Sequence, residues 1–238
     1  MNSLSKLAVK IFADGADKKR MLEMHATPYI KGFTTNPTLM RKAGILNYRS
    51  FARELLSDVR DKPVCFEVLA DELGEMERQA LEIAAWAENV YVKIPVTNTK
   101  RQDCAVLVKR LSDRRVKLNV TAVMTLAQVE QMSQMLNPRT ASFISIFAGR
   151  IADTGVDPVP LMRRAVAILK PNSNAELVWA SPREILNIFQ ADEIGCQVIT
   201  LTDDILKKLP LLDYDLAAYS LDTVKMFHDD AQAAGFSV

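Results

Sequence analysis

The sequence predicts an α/β protein built as one closed (β/α)8 barrel of the TIM type. Its 238 residues are close to the roughly 250 that one such barrel uses. Eight short apolar runs alternate with longer amphipathic stretches, the pattern of right-handed βαβ units. No linker rich in Pro, Gly or Ser divides the chain, so 1–238 reads as a single domain.

The eight strand candidates follow in order. They are Leu7–Asp14, Lys31–Asn36, Pro63–Ala70, Val90–Val96, Val116–Val123, Thr140–Gly149, Glu176–Ser181 and Gln197–Thr202. Each is mostly apolar and rich in β-branched residues, as strands covered on both faces tend to be. Between them, Leu73–Ala87 places Leu73, Met76, Ala80, Ile83, Ala84 and Ala87 at helical spacing. Asp103–Arg114, Thr125–Leu136, Pro158–Leu169 and Pro182–Ala191 share that spacing. Thr125 and Ser181 suit N-caps, and Pro182 suits a first helical position. A doubly wound open sheet is the rival fold, but it usually opens on a Gly-rich turn after the first strand. Here that turn is DGADKK, with a lone glycine. A further helix, Asp215–Ala234, follows the eighth unit and carries Leu216, Tyr219, Val224 and Phe227. A barrel has no remaining place for it, so it is expected to dock on a neighbouring subunit.

Composition excludes several classes. Hydrophobic residues make up 49% and charged residues 25%, a globular mixture and not a disordered or fibrous one. With 30 Lys plus Arg against 29 Asp plus Glu, the formal net charge is +1. No bulk field then favours nucleic acid or an anionic membrane, and an anionic ligand must be held by a few placed cations. Cys65, Cys104 and Cys196 are an odd number, far apart and without a C-x-x-C. Reduced thiols in a cytoplasmic protein are expected. The N-terminus has no apolar signal-like core, and no stretch approaches the ~18 apolar residues of a membrane span. His25 and His228 lie far apart without ligand spacing, so no metal is expected.

The strand ends are unusually polar. Catalytic groups of such barrels sit at the C-terminal ends of the strands. Asp14 ends the first strand, and Thr34-Thr35-Asn36-Pro37 ends the second. Glu67 lies between Phe66 and Val68, and Lys93 between Val92 and Ile94. Asn119 and Thr121 are spaced by two and share a face. Ser145 follows, with Arg150 just beyond, and then Ser181 and Arg183. Lys93 has two readings. Burial disfavours its ammonium form and frees an amine able to attack a carbonyl and form a Schiff base. Equally, it can be an ion-pair partner for Glu67 or Asp14, and both can hold together. Two carboxylates near that amine can divide proton transfers. Taken alone, Asp14 reads first as a cap on the next helix or a partner of Lys18, whereas Glu67 among apolar neighbours needs a partner. Arg150, Ser181 and Arg183 together suit a phosphate, although each arginine singly reads as a surface ion pair. Cys65 reads as a structural thiol, and Asp203-Asp204 as a helix start.

The segments FADGAD, GFTTNPTL, YVKIPVT, LNVTAV, SIFAGRIADTG, WASPRE and GCQVITLT occur in the order seen in one family. From Ile11 to the C-terminal helix the chain resembles the small transaldolases and the related fructose-6-phosphate aldolases. The resemblance implies a class I Schiff-base enzyme with no metal and no cofactor. Lys93 then matches the Schiff-base lysine, and Asp14 the proton-transfer residue at carbon–carbon cleavage. Glu67 and Thr121 match the pair that holds the catalytic water. Thr35, Asn36, Asn119 and Ser145, with Phe147, match the substrate-binding surroundings. Arg150, Ser181 and Arg183 match the phosphate-binding set, with S-P-R in place of the more usual S-F-R. Glu67 and Phe147 resemble the transaldolase branch, where the aldolase branch has glutamine and tyrosine. A tyrosine hydroxyl would help water protonate the enamine; phenylalanine cannot.

The implied activity is transfer of a dihydroxyacetone unit from a ketose phosphate, sedoheptulose 7-phosphate or fructose 6-phosphate, to an aldose phosphate. An aldolase releasing free dihydroxyacetone is the alternative. A non-catalytic barrel that binds sugar phosphate is a third, and it does not need Lys93. Small members of the family form pentamers or decamers, which suits Asp215–Ala234 as an arm. The loop NTKRQD and the Glu193-Ile194 segment depart from the family's usual pattern.

Overall fold

The computed structural model describes residues 4–236; residues 1–3 and 237–238, the ends of the expected domain, lie outside the described residues. Eight strands form a closed, all-parallel barrel in sequence order. They are β1 (Lys10–Asp14), β2 (Ile30–Thr34), β3 (Val64–Glu67), β4 (Val90–Pro95), β5 (Leu118–Val123), β6 (Ser142–Ile146), β7 (Ala175–Trp179) and β8 (Val198–Thr202). All eight expected strands are present, most of them trimmed by a few residues at one or both ends. β8 closes on β1 with Asp14 beside Thr202.

The helices are α1 (Lys18–His25), α2 (Pro37–Lys42), α3 (Tyr48–Asp58), α4 (Leu73–Ala84), α5 (Ala105–Asp113) and α6 (Leu126–Met135). After them come α7 (Ala148–Ala152), α8 (Pro158–Leu169), α9 (Leu186–Glu193), α10 (Asp203–Leu206) and α11 (Leu216–Ala234). α8 has the bounds expected, and Thr125 caps α6 through a full capping box with Gln128. α1, α2 and α3 were not singled out by spacing. The first is strongly polar and the second only six residues long, so neither offers a long apolar stripe.

Two boundaries differ from expectation for local reasons. β6 stops at Ile146, and the chain then turns into α7, so Gly149 is helical. Ser181 does not cap a helix, because α9 begins at Leu186. Instead Ser181 takes the left-handed conformation at φ 58°. The side-chain oxygen Oδ1 of Asn187 accepts from the backbone N–H groups of Arg183 at 2.8 Å and Glu184 at 3.2 Å, doing what a serine cap would do.

The pleat decides what the barrel holds. Alternate strand residues face outward and pack with the helices in the main core, among them Phe33, Phe66, Val92, Ile94, Leu118, Ile144, Leu177 and Ile199. The other set faces inward. Phe12, Cys65, Phe143, Val178 and Val198 form a separate cluster with Tyr91 against it. Phe12 meets Phe143 edge-on with ring centroids 5.6 Å apart, and Tyr91 stacks on Phe143 at 4.4 Å. Gly32 makes room for this plug, since a Cβ there would lie 2.6 Å from the Phe12 ring. Two residues further along the same strands stand Asp14, Glu67, Lys93 and Ser145. An apolar floor therefore lies directly beneath a polar mouth.

Candidate active site

The C-terminal mouth encloses a cavity of about 580 Å³. Asp14, Asn36, Glu67, Lys93, Asn119, Thr121, Ser145, Phe147, Arg150, Ser181 and Arg183 all line it. With Thr200 and Thr202 of β8, residues from all eight strand ends or the loops after them converge on one space. Parallel register brings the central ones side by side: Glu67 lies opposite Lys93, and Lys93 opposite Asn119.

Lys93 is 7% exposed. Its Nζ donates to the Thr35 carbonyl at 2.7 Å and stands 3.2 Å from Glu67 Oε2. The ion-pair reading of Lys93 therefore holds, with Glu67 as partner, and the amine still borders the cavity. Both carboxylates find partners as well. Asp14 accepts from Thr34 Oγ1 at 2.6 Å and from Asn36 Nδ2 at 3.4 Å. It neither caps α1, which Asp17 does, nor pairs with Lys18, which turns to Glu54 and Asp58. Burial pushes the Asp14 carboxyl above its ordinary value, only partly opposed by the Lys93 charge and the Thr34 bond. The protonated form is therefore easier to reach than in a solvated aspartate.

The hydroxyl and amide groups divide into satisfied and free. Ser145 Oγ donates to Asn119 Oδ1 at 2.7 Å, which fixes the amide and leaves its NH2 for other partners. Thr121 Oγ1 is buried and has no hydrogen-bond partner among the described residues. Such a group is costly unless a water or ligand meets it. Asn36 caps α2, its side-chain oxygen accepting from Leu39 N at 2.9 Å, so its amide is held at the rim. Cys65 lies one layer down, and burial pushes its thiol up to about 11, which suits an inert structural role.

Thr35 is placed differently from expectation. Its side chain is fully buried and donates to the Cys65 carbonyl at 3.3 Å, away from the cavity lining. Only its backbone oxygen reaches the site, through Lys93. The inward hydroxyl of that pair is Thr34. Thr34, Thr200, Thr202 and Asp204 also line the cavity; the sequence marks Thr34 only as part of a polar strand end and Asp204 only as a helix start, and it leaves Thr200 and Thr202 unmarked. Thr200 and Thr202 carry the same spacing-of-two signal as Asn119 and Thr121. Tyr48 supports the site from outside by donating to the Glu67 carbonyl at 2.9 Å.

At the far side of the mouth, α7 packs against the loop after β7. The Arg150 guanidinium lies 5.6 Å from the Phe147 ring centre. Arg183 forks onto Asp153, with Nε 3.0 Å from Oδ1 and Nη2 on Oδ2.

The family description "Transaldolase/Fructose-6-phosphate aldolase" matches residues 11–238. The chain belongs to this transaldolase/fructose-6-phosphate aldolase family. Similar proteins include a probable transaldolase of Dehalococcoides mccartyi, 32% identical over 219 residues covering 90% of this chain and 97% of that one. A probable transaldolase of Mesorhizobium japonicum is 33% identical over 221 residues, 91% of this chain and 97% of its own. One from Herpetosiphon aurantiacus is 32% identical over 218 residues, 90% and 94% respectively. The closed barrel is the fold expected for this transaldolase-family chain. Among the described residues, no helix is long and apolar enough to cross a membrane.

Proposed function

We propose that this family member is a transaldolase that carries a dihydroxyacetone unit on Lys93. The observation behind the proposal is the buried Lys93 amine, 3.2 Å from Glu67 and facing the same cavity as Asp14. In the scheme, Glu67 draws a proton from the Lys93 ammonium, and the free amine attacks the ketose C2 carbonyl. Glu67 and Thr121 hold the water that leaves as the imine forms and returns at hydrolysis. The unpartnered Thr121 hydroxyl suits that task. Asp14 takes the proton from the C4 hydroxyl as the C3–C4 bond breaks, and its raised pKa suits such a transfer. The first aldose departs, and the enamine attacks the carbonyl carbon of the acceptor. Asp14 returns the proton to the new C4 oxygen, and water releases the product ketose from Lys93. Asn36, Asn119 and Ser145 orient the sugar hydroxyls, while Arg150, Ser181 and Arg183 bind the phosphate.

Fructose 6-phosphate or sedoheptulose 7-phosphate serves as donor and an aldose phosphate as acceptor, in the manner of the pentose phosphate pathway. Phe147 favours transfer over release, because it lines the cavity without a hydroxyl to help water protonate the enamine. Borohydride added with fructose 6-phosphate is expected to fix an adduct on Lys93, located by peptide mass mapping. An adduct on another lysine, or none, refutes the proposal.

α11 supports a homo-oligomer, pentamer or decamer. None of its described residues is buried, and Leu216, Val224 and Phe227 are 82%, 60% and 63% exposed. Such a face is unusual for a lone subunit. The buried free thiols Cys65, Cys104 and Cys196 suit the reducing cytoplasm.

A further inference from the structure

The resemblance to the family assigns phosphate contacts to Arg150, Ser181 and Arg183, but the geometry draws in a fourth residue. A guanidinium has five N–H donors, arranged along edges that can each grip an oxyanion. Asp153 occupies the Nε and Nη2 edge of Arg183 with both of its oxygens. Among the described residues, Nη1 has no protein partner, and Arg183 lines the cavity. The carboxylate therefore fixes the long side chain while leaving the other edge for a ligand. Arg183 holds the Asp153 carboxyl below its ordinary value, and Arg150 adds to that effect, so both cations lie near this one anion.

The backbone builds the same pairing. Gly149 sits in α7, four residues before Asp153 and on the same side of the helix. A Cβ on Gly149 would come within 1.6 Å of the Ser181 carbonyl oxygen and 3.2 Å of Arg183 Nε. Only a residue without a side chain lets α7 press directly on the loop that carries Ser181 and Arg183. The left-handed Ser181 at φ 58° turns the chain at that contact. The helix bearing Arg150, with Asp153 at its C-cap, and the loop bearing Ser181 and Arg183 are thus one interlocked clamp.

We propose that Asp153 is a positioning residue for phosphate recognition, holding one edge of Arg183 so that the opposite edge meets the substrate phosphate. The proposal rests on the sugar-phosphate reading of the site. It predicts a division between substrates. An unphosphorylated ketone condenses with Lys93 without using the clamp, whereas a ketose phosphate needs it.

The test is borohydride trapping at Lys93 in wild type, Asp153→Ala, Arg183→Ala and the double variant. Fructose 6-phosphate and dihydroxyacetone are the two probes, each titrated to half-saturation. Asp153→Ala is expected to raise the half-saturating fructose 6-phosphate concentration roughly tenfold, the loss of one charge-assisted contact. The dihydroxyacetone curve should move less than about twofold, and the double variant should be no worse than Arg183→Ala alone, as for residues acting as one unit. Tighter or unchanged fructose 6-phosphate binding in Asp153→Ala would mean that the carboxylate merely neutralises Arg183, and overturns the proposal. Equal weakening for both probes would mean a general structural role and overturns it too. If wild type traps neither probe, the Lys93 assignment itself fails and the proposal falls with it; normal trapping with an unshifted Asp153→Ala curve removes only the role of Asp153.

Discussion

At the residue scale, Lys93 and its two carboxylates show how burial and pairing act together. A lysine inside a parallel strand is costly unless something compensates its charge. Glu67 supplies that charge, and the Thr35 carbonyl accepts a further hydrogen bond. Asp14 has weaker compensation, and desolvation dominates its titration. Between the ordinary 3.8 and its raised value, the folded protein binds more protons than the unfolded chain. Stability contributed by that proton is therefore present below the ordinary value and is lost as pH rises through the raised one. Asp14→Asn removes the titration, so its melting temperature should gain on that of wild type from pH 4 to pH 7. Thermal melts in which the difference stays flat would contradict the burial account. The same variant should still be trapped by borohydride with dihydroxyacetone but lose about 10²–10⁴ in donor cleavage, the usual worth of a general acid or base. Phe147→Tyr should raise cleavage of fructose 6-phosphate without acceptor. An unchanged acceptor-free rate would show that the ring at this position does not guard the enamine.

At the element scale, caps and close approaches set where each functional group stands. Asn36 begins α2 and reaches Asp14, so one side chain both ends a strand–helix turn and furnishes the site. Thr125 carries the capping box of α6 and lines no part of the cavity. Thr125→Ala should cost about 1 kcal/mol, seen as a lower urea midpoint at constant m-value, with transfer kinetics unaffected. Gly149 carries the contact between α7 and the loop after β7. Gly149→Ala must push those two pieces apart, at roughly 1–3 kcal/mol for an overpacked contact. Its KM for phosphorylated donor should rise several-fold. A variant with wild-type KM would show that the loop can yield without moving Ser181 or Arg183.

At the scale of the whole molecule, the closed barrel separates packing from chemistry. The aromatic plug of Phe12, Tyr91 and Phe143 seals the interior, and the polar mouth sits on it. α11 is the part the barrel does not use. If α11 is the arm of the proposed homo-oligomer, replacing Val224 and Phe227 together by glutamate should give smaller species than wild type in analytical ultracentrifugation. An unchanged sedimentation coefficient, or a wild-type chain that sediments as a monomer, would show that α11 does not serve as the arm.

Much of this architecture was legible in the chain itself. Strand parity alone put Asn119 with Thr121, and polar residues inside apolar runs marked Glu67 and Lys93. A period-two pattern survives in the sequence because each inward residue keeps its face whatever the rest of the molecule does. Three things were decided only by tertiary structure. Thr34 and not Thr35 turns inward, because strand parity is fixed by where β2 pairs with its neighbours. Ser181 leaves the helix and Gly149 enters one, because two distant segments interlock there. Asp153 joins Arg183 across 30 residues of chain. Local sequence encodes local periodicity, whereas contacts between loops depend on barrel closure, which brings the ends of eight strands to one mouth.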